Sequence, residues 1–599
     1  MKKYLIALWT CLLLLGCNGS GGSGGGSGGG SSGGSGKGTP SDPSRQKPAG
    51  TAIAGWPNYI AMGAIGGPNI DPTQIKVGSG GDDSFGGAPV DAVFKYAGIN
   101  GNGDPGVIDP PMNIINMTKD LTNVSKYNNY PSRVVMVEYT AQMSGGQNFD
   151  DFTNTDTPSV STPGATYIMA RHFISLASDA LALAQNPVVY AGKNYYGALI
   201  LDPDLLGAMQ QNNYIGSVNN LLNDGTVNSA VDQTLCFLQT TRSYTNTYAP
   251  NGNNGQPYIN KTYTGTPFAI LTAMLNDGYP GWSINSSNDP YWNTSTNNES
   301  SQVGTWLNEC INTPSNGAHP SFPSGFDGWI QANNWLVRYF GNIESTDVSF
   351  GWQDNMWAVN SGNWVNSNSD LTTSEIASTY STPVISWLSA NAPSAISKVG
   401  TEPAPDFFVF DRYENDDSAG GGQGTLYNSQ SWDNYLNGIG LISKAFDNIP
   451  LVMWQIPGSH LPYIGEANPQ LFPTGGYIFS TAPDYFFGDS NLGSSLNNLV
   501  MGPQNNPSTN LAVGNYIMPS IYNCSACIYK NYLLSGAYDW SKDNGKLFLA
   551  ASNNVAAILW GGGNTTNVIH NFSNPDDHGW LAGRIRDYYI NPQKLNPAQ

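Results

Sequence analysis

Acidic side chains stand where several apolar runs of this sequence end. The run DFFVFD closes on Asp411 and leads into Glu414, and ILDPD closes on Asp202 and Asp204. Paired carboxyl groups can cleave a glycosidic bond, because one protonates the leaving oxygen while the other activates water or attacks the anomeric carbon. The predicted catalytic residues are Glu138, Asp202, Asp204, Asp411 and Glu414.

Aromatic and polar side chains at the same run ends are suited to binding sugars. Aromatic planes pack against the C–H faces of sugar rings, while amides and carboxylates bond to the hydroxyl groups. The stretch WQDNMW brings two tryptophans and an acid into one short loop. The predicted substrate-binding residues are Tyr139, Trp352, Asp354, Trp357, Arg412, Trp454, Gln455 and Trp560.

These residues also have structural explanations, which the sequence leaves open. An Asp at the end of a strand commonly caps a helix or closes a turn, and Trp454 fits core packing equally well. Glu138 is less suited to capping, and the apolar segment RVVMV before it would raise its pKa by burial. Arg412 would hold a neighbouring carboxylate in its ionised form.

Eight short apolar runs are predicted as strands. Most are continuous rather than alternating, which is typical of parallel strands buried on both faces. They span residues 59–65, 133–139, 195–202, 347–352, 406–411, 450–456, 484–489 and 555–561. Helical patterns lie between them, at 166–185, 227–241, 328–343 and 431–446.

The alternation of strands and helices predicts an α/β fold. The strand count favours a closed (β/α)8 barrel with a helical insertion at about 204–346, and an open doubly wound sheet is the alternative. In a barrel the carboxyl ends of the strands meet at one face, where active sites lie. We therefore expect the acids and aromatics at the run ends to share that face.

The first 50 residues predict export and a flexible tether. MKKYLIALWTCLLLLGC combines two lysines, an apolar run and Leu-Leu-Gly-Cys, which is typical of a bacterial secretion signal. Its end resembles a lipobox, which implies cleavage after residue 16, acyl chains on Cys17 and an outer-membrane or surface location; an ordinary cleaved signal is the alternative. The linker 17–50 is rich in Gly and Ser and has a mean reach on the order of 30 Å, and a single domain is predicted over 51–599.

The composition argues against a nucleic-acid partner. The formal net charge is -19, so the surface repels phosphate backbones and offers no basic stripe to them. Aromatic residues make up 12% of the chain and charged residues only 11%. A surface of this kind suits a neutral, hydroxylated ligand, although aromatics that fill a large core explain the same numbers.

Four cysteines remain after Cys11 leaves with the signal and Cys17 is lipidated. An even number in an exported protein favours disulfides. The simplest of three pairings joins Cys236 with Cys310 and Cys524 with Cys527. The CxxC spacing of the second pair also fits a redox or metal motif, but no helix-start pattern or histidine at ligand spacing accompanies it.

Other chemistries lack their motifs. Gly-x-Ser-x-Gly occurs only in the tether, no H-E-x-x-H is present, and the five histidines are scattered along the chain. The segment 100–109 partly matches a calcium loop, but Pro105 and the missing bidentate Glu break the pattern. The sequence therefore predicts neither a cofactor nor a metal site.

Two segments carry a family resemblance. ILDPDLLG resembles the E-P-D-[S/A]-L strand end of the family 6 cellulases, and VVMVEYTAQMSGG stands where their acid-bearing strand would be. The chain departs from that family at Asp202, where the family has Glu, and it lacks the Arg-Asp-Cys motif. The resemblance implies a site role for Asp204 and a secreted barrel glycosidase.

Together these features predict a surface-tethered, monomeric glycoside hydrolase that acts on a neutral polysaccharide or oligosaccharide. A non-catalytic glycan-binding lipoprotein with the same barrel is one alternative, and a purely structural envelope protein is another. An acid pair at the barrel mouth would separate the enzyme from both alternatives.

Overall fold

The computed structural model describes most of the predicted barrel domain. The described residues are 53–66, 90–97, 112–138, 152, 164–223, 225–239, 242–245, 260–276, 310, 319–342, 348–359, 371–397, 403–412, 427–458, 460–465, 480–499, 529–534, 538–561 and 580–595. The predictions that lie outside them concern Cys17, Tyr139, Glu414, Cys524, Cys527 and the segment 100–109.

Eight parallel strands close into a barrel. In the order β1-β12-β11-β10-β9-β6-β3-β2 each strand pairs with the next, and β1 and β2 complete the ring. Two antiparallel hairpins, β4-β5 and β7-β8, lie outside it. The strands are β1 (Ala61–Ile65), β2 (Ala92–Ala97), β3 (Arg133–Glu138), β4 (Val188–Tyr190), β5 (Lys193–Tyr195), β6 (Ala198–Leu201), β7 (Arg242–Thr245), β8 (Asn260–Tyr263), β9 (Ser349–Asp354), β10 (Phe407–Asp411), β11 (Leu451–Ile456) and β12 (Val555–Trp560).

Helices connect and surround the strands. Those in the described ranges are α1 (Met112–Asn128), α2 (Gly164–Gln185), α3 (Leu205–Gln211), α4 (Ile215–Leu221), α5 (Thr226–Gln239), α6 (Pro267–Asn276), α7 (Phe326–Gly341), α8 (Thr373–Ile376), α9 (Thr382–Asn391), α10 (Ser429–Ala445), α11 (Ala482–Phe487), α12 (Tyr529–Leu534), α13 (Lys546–Ser552) and α14 (Trp580–Tyr588). None of them combines the length and the apolar composition that a membrane-crossing helix needs.

The barrel strands are buried on both faces, as the continuous apolar runs predict. Val135, Ile200 and Val409 belong to one cluster inside the barrel. Met136 and Leu199, at alternate positions, belong to the larger cluster shared with the surrounding helices. This alternation decides whether a strand-end side chain points into the mouth or toward the helices.

The segment before β1 covers the amino end of the barrel. The indole nitrogen of Trp56 donates to Ser349 Oγ at 3.2 Å. Arg133 lies over the Trp56 ring at 4.6 Å and donates to the Gly55 carbonyl at 2.9 Å. Because β3 and β9 begin at Arg133 and Ser349, these contacts place Trp56 across the end opposite the predicted site.

The structure confirms the (β/α)8 barrel and corrects two element assignments. The doubly wound alternative is wrong, because β1 pairs with β12 and with β2 to close the ring. The predicted strand 484–489 is wrong: Ala482–Phe487 is a helix with Pro483 in its first turn, and it ends before Gly488, whose φ is 70°. The eighth strand is instead β2, which the apolar pattern did not indicate.

Between β6 and β9 the described residues form five helices, α3 to α7, and the β7-β8 pair of strands. A disulfide joins Cys236 on α5 to Cys310, with Cα atoms 5.7 Å apart, which confirms this predicted pair. These helices agree with the predicted helical insertion at about 204–346.

Candidate active site

The carboxyl end of β6 places two of the predicted acids on strained backbone. Asp202 has φ 38° and Asp204 has φ 66°. Residues other than glycine rarely adopt such positive φ angles. The amide of Asp202 donates to the Glu138 carbonyl at 2.9 Å, which continues the β3-β6 ladder one residue past the strand. Such strain concentrates at functional sites, where surrounding contacts must hold it.

Gln353 holds the ends of three strands together. Its Oε1 accepts from the Asp204 amide at 2.6 Å, and its Nε2 donates to Asp411 Oδ1 at 2.7 Å. Gln353 and Asp411 share the parity of inward-facing residues on β9 and β10. The amide therefore fixes the backbone of one predicted acid and the carboxyl group of another.

Asn355 positions the side chain of Asp204. Its Nδ2 donates to Asp204 Oδ1 at 3.1 Å, and its Oδ1 accepts from the Trp357 amide at 3.0 Å. A Cβ on Gly207, in the first turn of α3, would lie 3.0 Å from Asn355 Oδ1. The glycine thus leaves space for the amide that orients Asp204.

Asp354, at the end of β9, is a fully buried carboxylic acid beside Asp204, and it has the parity of Phe350 and Trp352, which face the helices. Its Oδ1 accepts from the Asn355 amide at 2.8 Å, while its Oδ2 has no hydrogen-bond partner in the described part of the chain. Burial, with a smaller contribution from the nearby Asp204, raises the pKa of Asp354 to about 7, and the Asn355 amide opposes the shift. Asp354 therefore exchanges a proton near neutral pH.

A π-helical turn brings Tyr380 toward these acids. It spans Ala377–Ser381, and such turns are frequent at functional sites. The Tyr380 hydroxyl is fully buried and has no hydrogen-bond partner among the described residues. Burial first, and then the negative charge of Asp354, raises the pKa of Tyr380, so the phenol stays protonated as a donor.

The opposite wall of the barrel mouth contains aromatic and amide groups. The β11-β12 register shifts between Met453 and Ile456, and Gln455 within this irregularity has φ 53°. Gln455 Nε2 donates to the Tyr96 hydroxyl at 2.8 Å. Trp454 packs edge-on against the Tyr96 ring, with centroids 6.2 Å apart. Irregularities of this kind often redirect side chains next to active sites.

Arg412 and Asp411 are anchored from α10 and the segment before it. The Arg412 guanidinium lies 3.9 Å from the centre of the Tyr427 ring. The Tyr435 hydroxyl donates to the Asp411 carbonyl at 3.2 Å. Both predicted residues are buried near the barrel mouth, with 4% and 9% of their surfaces exposed.

Three further predicted residues share the helix-facing parity of Asp354 and lie outside the mouth. Trp352 is fully buried against the helices, where its indole nitrogen donates to Asn334 Oδ1 at 2.8 Å. Trp560 is likewise fully buried and packs against Phe486. Glu138 is also fully buried, with the parity of residues that face the helices. Core packing accounts for the positions of both tryptophans, so sugar has no access to them here.

Several residues of the site were not predicted from the sequence. Gln353 had a usable signal, because a polar residue at an inward position near a strand end is rarely core. Asn355 lies in the stretch WQDNMW, but only its neighbours were predicted to bind substrate. Tyr380 and Tyr96 had no signal, because their proximity to the mouth follows from the closure of the barrel.

Among the described residues, the one group of three potential ligands within reach of a single ion is His460, Asp484 and Asp489, and it includes none of the mouth acids. Comparison of the chain with models of known families, with curated proteins and with solved structures found no match in any of the three. The cellulase resemblance therefore stays a prediction.

Proposed function

We propose that this protein is a surface-tethered glycoside hydrolase that cleaves a neutral polysaccharide or oligosaccharide. One observation carries the proposal: Asp204 and Asp354 are neighbouring acids in different environments. Burial raises the pKa of Asp354 to about 7, whereas Asp204 is half-buried and hydrogen-bonded to Asn355. Glycosidic cleavage requires two acids whose surroundings separate their protonation in this way.

The two acids take different roles in the proposed reaction. Asp354 donates its proton to the leaving glycosidic oxygen, because it still holds one near neutral pH. Asp204 acts on the other side of the bond, either as the base that activates water or as the nucleophile. The bonds from Gln353 and Asn355 keep Asp204 in place.

The half-buried ring of Tyr96, which packs against the fully buried Trp454, supports a sugar as the ligand. Ring faces and edges at a barrel mouth bind C–H surfaces, while Gln455 supplies an amide for hydroxyl groups. The lipobox-like signal and the long linker support the tether, since a domain held clear of a membrane can reach a large substrate.

A panel of neutral polysaccharides tests the proposal. We expect purified protein to release reducing ends from at least one of them, and Asp204→Asn to lower kcat/KM by about 10²-fold or more. Asp447→Asn is the matched control, because Asp447 is also an Asp at positive φ (52°) but is exposed in the turn before β11. Its activity should equal that of the wild type.

The leaving group tests the role of Asp354. A chain that lacks its general acid should lose most activity on substrates with poor leaving groups and least on activated aryl glycosides. We expect this pattern for Asp354→Asn. The variant should also lose the fall in kcat/KM that the wild type shows as pH rises above about 7. Equal losses on both substrate types would contradict the acid role, and binding without release of reducing ends would favour the glycan-binding alternative.

A further inference from the structure

A second cluster of ionisable residues lies outside the barrel mouth. His460 follows β11, Asp484 lies in the first turn of α11, and Asp489 follows that helix. All three side chains are buried, and one potential ligand atom from each lies within 4.8 Å of the others. Ligands at about 2.0–2.2 Å from one ion lie at most about 4.4 Å apart, so a small contraction brings them to a common centre.

Each carboxylate of this cluster has one oxygen held by the protein and one left over. Asp484 Oδ2 accepts from the Leu461 amide at 2.6 Å, and Asp489 Oδ1 accepts from the Asn491 amide at 3.0 Å. Asp484 Oδ1 and Asp489 Oδ2 are fully buried without a hydrogen-bond partner in the described part of the chain. Buried oxygens of this kind are costly unless a cation or donor reaches them.

The histidine is oriented as metal-binding histidines are. Its Nδ1 lies 2.9 Å from the Leu461 carbonyl, to which a neutral imidazole donates. The ring stacks on Trp580 with centroids 4.8 Å apart, which fixes its plane. A backbone carbonyl that sets the tautomer is the usual partner of a ligating histidine.

One positive charge, that of Arg584, reaches the cluster only at an oxygen that already has a donor. Arg584 contacts Asp489 Oδ1 at 3.4 Å, and its guanidinium lies over the Trp580 ring. It therefore approaches the oxygen that Asn491 already bonds.

We propose that His460, Asp484 and Asp489 bind a divalent transition-metal ion, with Zn²⁺ the preferred member. One imidazole nitrogen and two carboxylate oxygens suit Zn²⁺ or a related ion, whereas Ca²⁺ and Mg²⁺ favour all-oxygen shells. The ion fastens the segment after β11 to both ends of α11. This site is independent of the proposed glycosidase reaction.

Metal analysis of the full-length protein tests the proposal. After dialysis against a chelator and reloading with Zn²⁺, we expect about one ion per chain and a higher thermal midpoint than the chelated protein has. His460→Gln and Asp489→Asn should weaken Zn²⁺ binding by about tenfold or more. His319→Gln is the matched control, since His319 pairs with Asp232 away from the cluster.

If a variant fails to fold, metal binding by the wild type still tests the proposal. Co²⁺ added to the chelated wild type should give visible absorption bands of a nitrogen- and oxygen-bound ion, which Zn²⁺ abolishes. Failure of the wild type to bind Zn²⁺, or equal binding by the His460→Gln variant, would overturn the proposal. Stabilisation by Ca²⁺ or Mg²⁺ but not by Zn²⁺ would overturn the choice of metal.

Discussion

At the scale of single residues, Asp354 shows how burial turns an ordinary acid into one that titrates near neutral pH. Only one of its oxygens has a donor, the Asn355 amide, and the nearby Asp204 adds negative charge. A carboxyl group whose pKa is higher in the folded chain than in the unfolded chain binds its proton more tightly in the folded chain. The proposed proton donor must therefore cost stability at neutral pH.

The pH dependence of stability measures that cost. Between pH values of about 4 and 7 the folded chain keeps a proton on Asp354 that the unfolded chain has lost, so stability falls as pH rises through this window. Asp354→Asn carries no charge and avoids this loss. We expect urea unfolding to show that the variant gains on the order of 4 kcal/mol over the wild type between pH about 4 and about 8.

The exposed Asp447 supplies the control. Asp447→Asn removes a carboxylate that water already solvates, so its stability relative to the wild type should stay nearly constant over the same pH range. A difference between Asp354→Asn and the wild type that does not change with pH would contradict a raised pKa at Asp354.

Residue types alone could identify the acids but not their roles. Asp202, Asp204, Asp354 and Asp411 were all selected because they end apolar runs, and each lies near the carboxyl ends of β6, β9 and β10. Asp354 was predicted to bind sugar, because its full burial depends on helices distant in sequence. The burial of Trp352 depends on the same distant helices, because strand parity directs its side chain toward them.

At the scale of elements, the start of α3 supports the site. Asp204 directly precedes this helix, and Gly207 leaves room for Asn355, which bonds Asp204. The short helix therefore has two tasks: it ends the strained turn, and it presents a surface without a side chain to the amide. A side chain at position 207 would contact the Asn355 amide group and would not point into solvent.

Two glycine-to-alanine changes separate these tasks. Gly216 on α4 has open space around it, so Gly216→Ala should add up to about 1 kcal/mol of stability through helix propensity and leave activity unchanged. In Gly207→Ala the new methyl group would sit 3.0 Å from Asn355 Oδ1 and displace it. We expect kcat to fall about tenfold or more in this variant; unchanged kinetics would show that Asn355 does not position Asp204.

The disulfide restrains the helical segment between β6 and β9. Cys236 and Cys310 are 74 positions apart, and a crosslink that closes a loop of this length removes about 4 kcal/mol of unfolded-state entropy. We expect Cys236→Ala to lower the free energy of unfolding by this order. Cys310→Ala and the double variant should lose the same amount, because each removes one crosslink; additive losses would contradict a shared bond.

The element predictions failed where local signals outweighed apolar content. Seven predicted strands are barrel strands, because continuous burial produces continuous apolar runs. Residues 484–489 have the same character, but Pro483 in the first turn and Gly488 after the last favour the helix that forms. Strand β2 was missed because AVFKYA carries Lys95 in its centre, and only its neighbours β1 and β3 make it a strand.

At the scale of the whole molecule, the barrel closes where the first and the last of the described strands pair. Strand β1 pairs with β12, and α14 lies at the far end of the sequence. Asp91, just before β2, accepts hydrogen bonds from Tyr59, Tyr130, Tyr589 and the Met62 amide, at 2.7 to 3.0 Å. One buried carboxyl group thus connects the segments before β1, β2 and β3 to the segment after α14.

The tyrosine that follows α14 tests how much this closure contributes. Tyr589→Phe removes one donor to Asp91 and leaves a buried acceptor short of a bond, so we expect a loss of about 1–3 kcal/mol in urea unfolding. Tyr190→Phe, on the β4-β5 hairpin, is the matched control and should change stability by less than about 0.5 kcal/mol. Because Tyr589 reaches from the last helix to the first strands, the loss should appear in one cooperative transition of the whole barrel. If α14 instead melts before the barrel does, the Asp91 cluster does not couple this helix to the first strands.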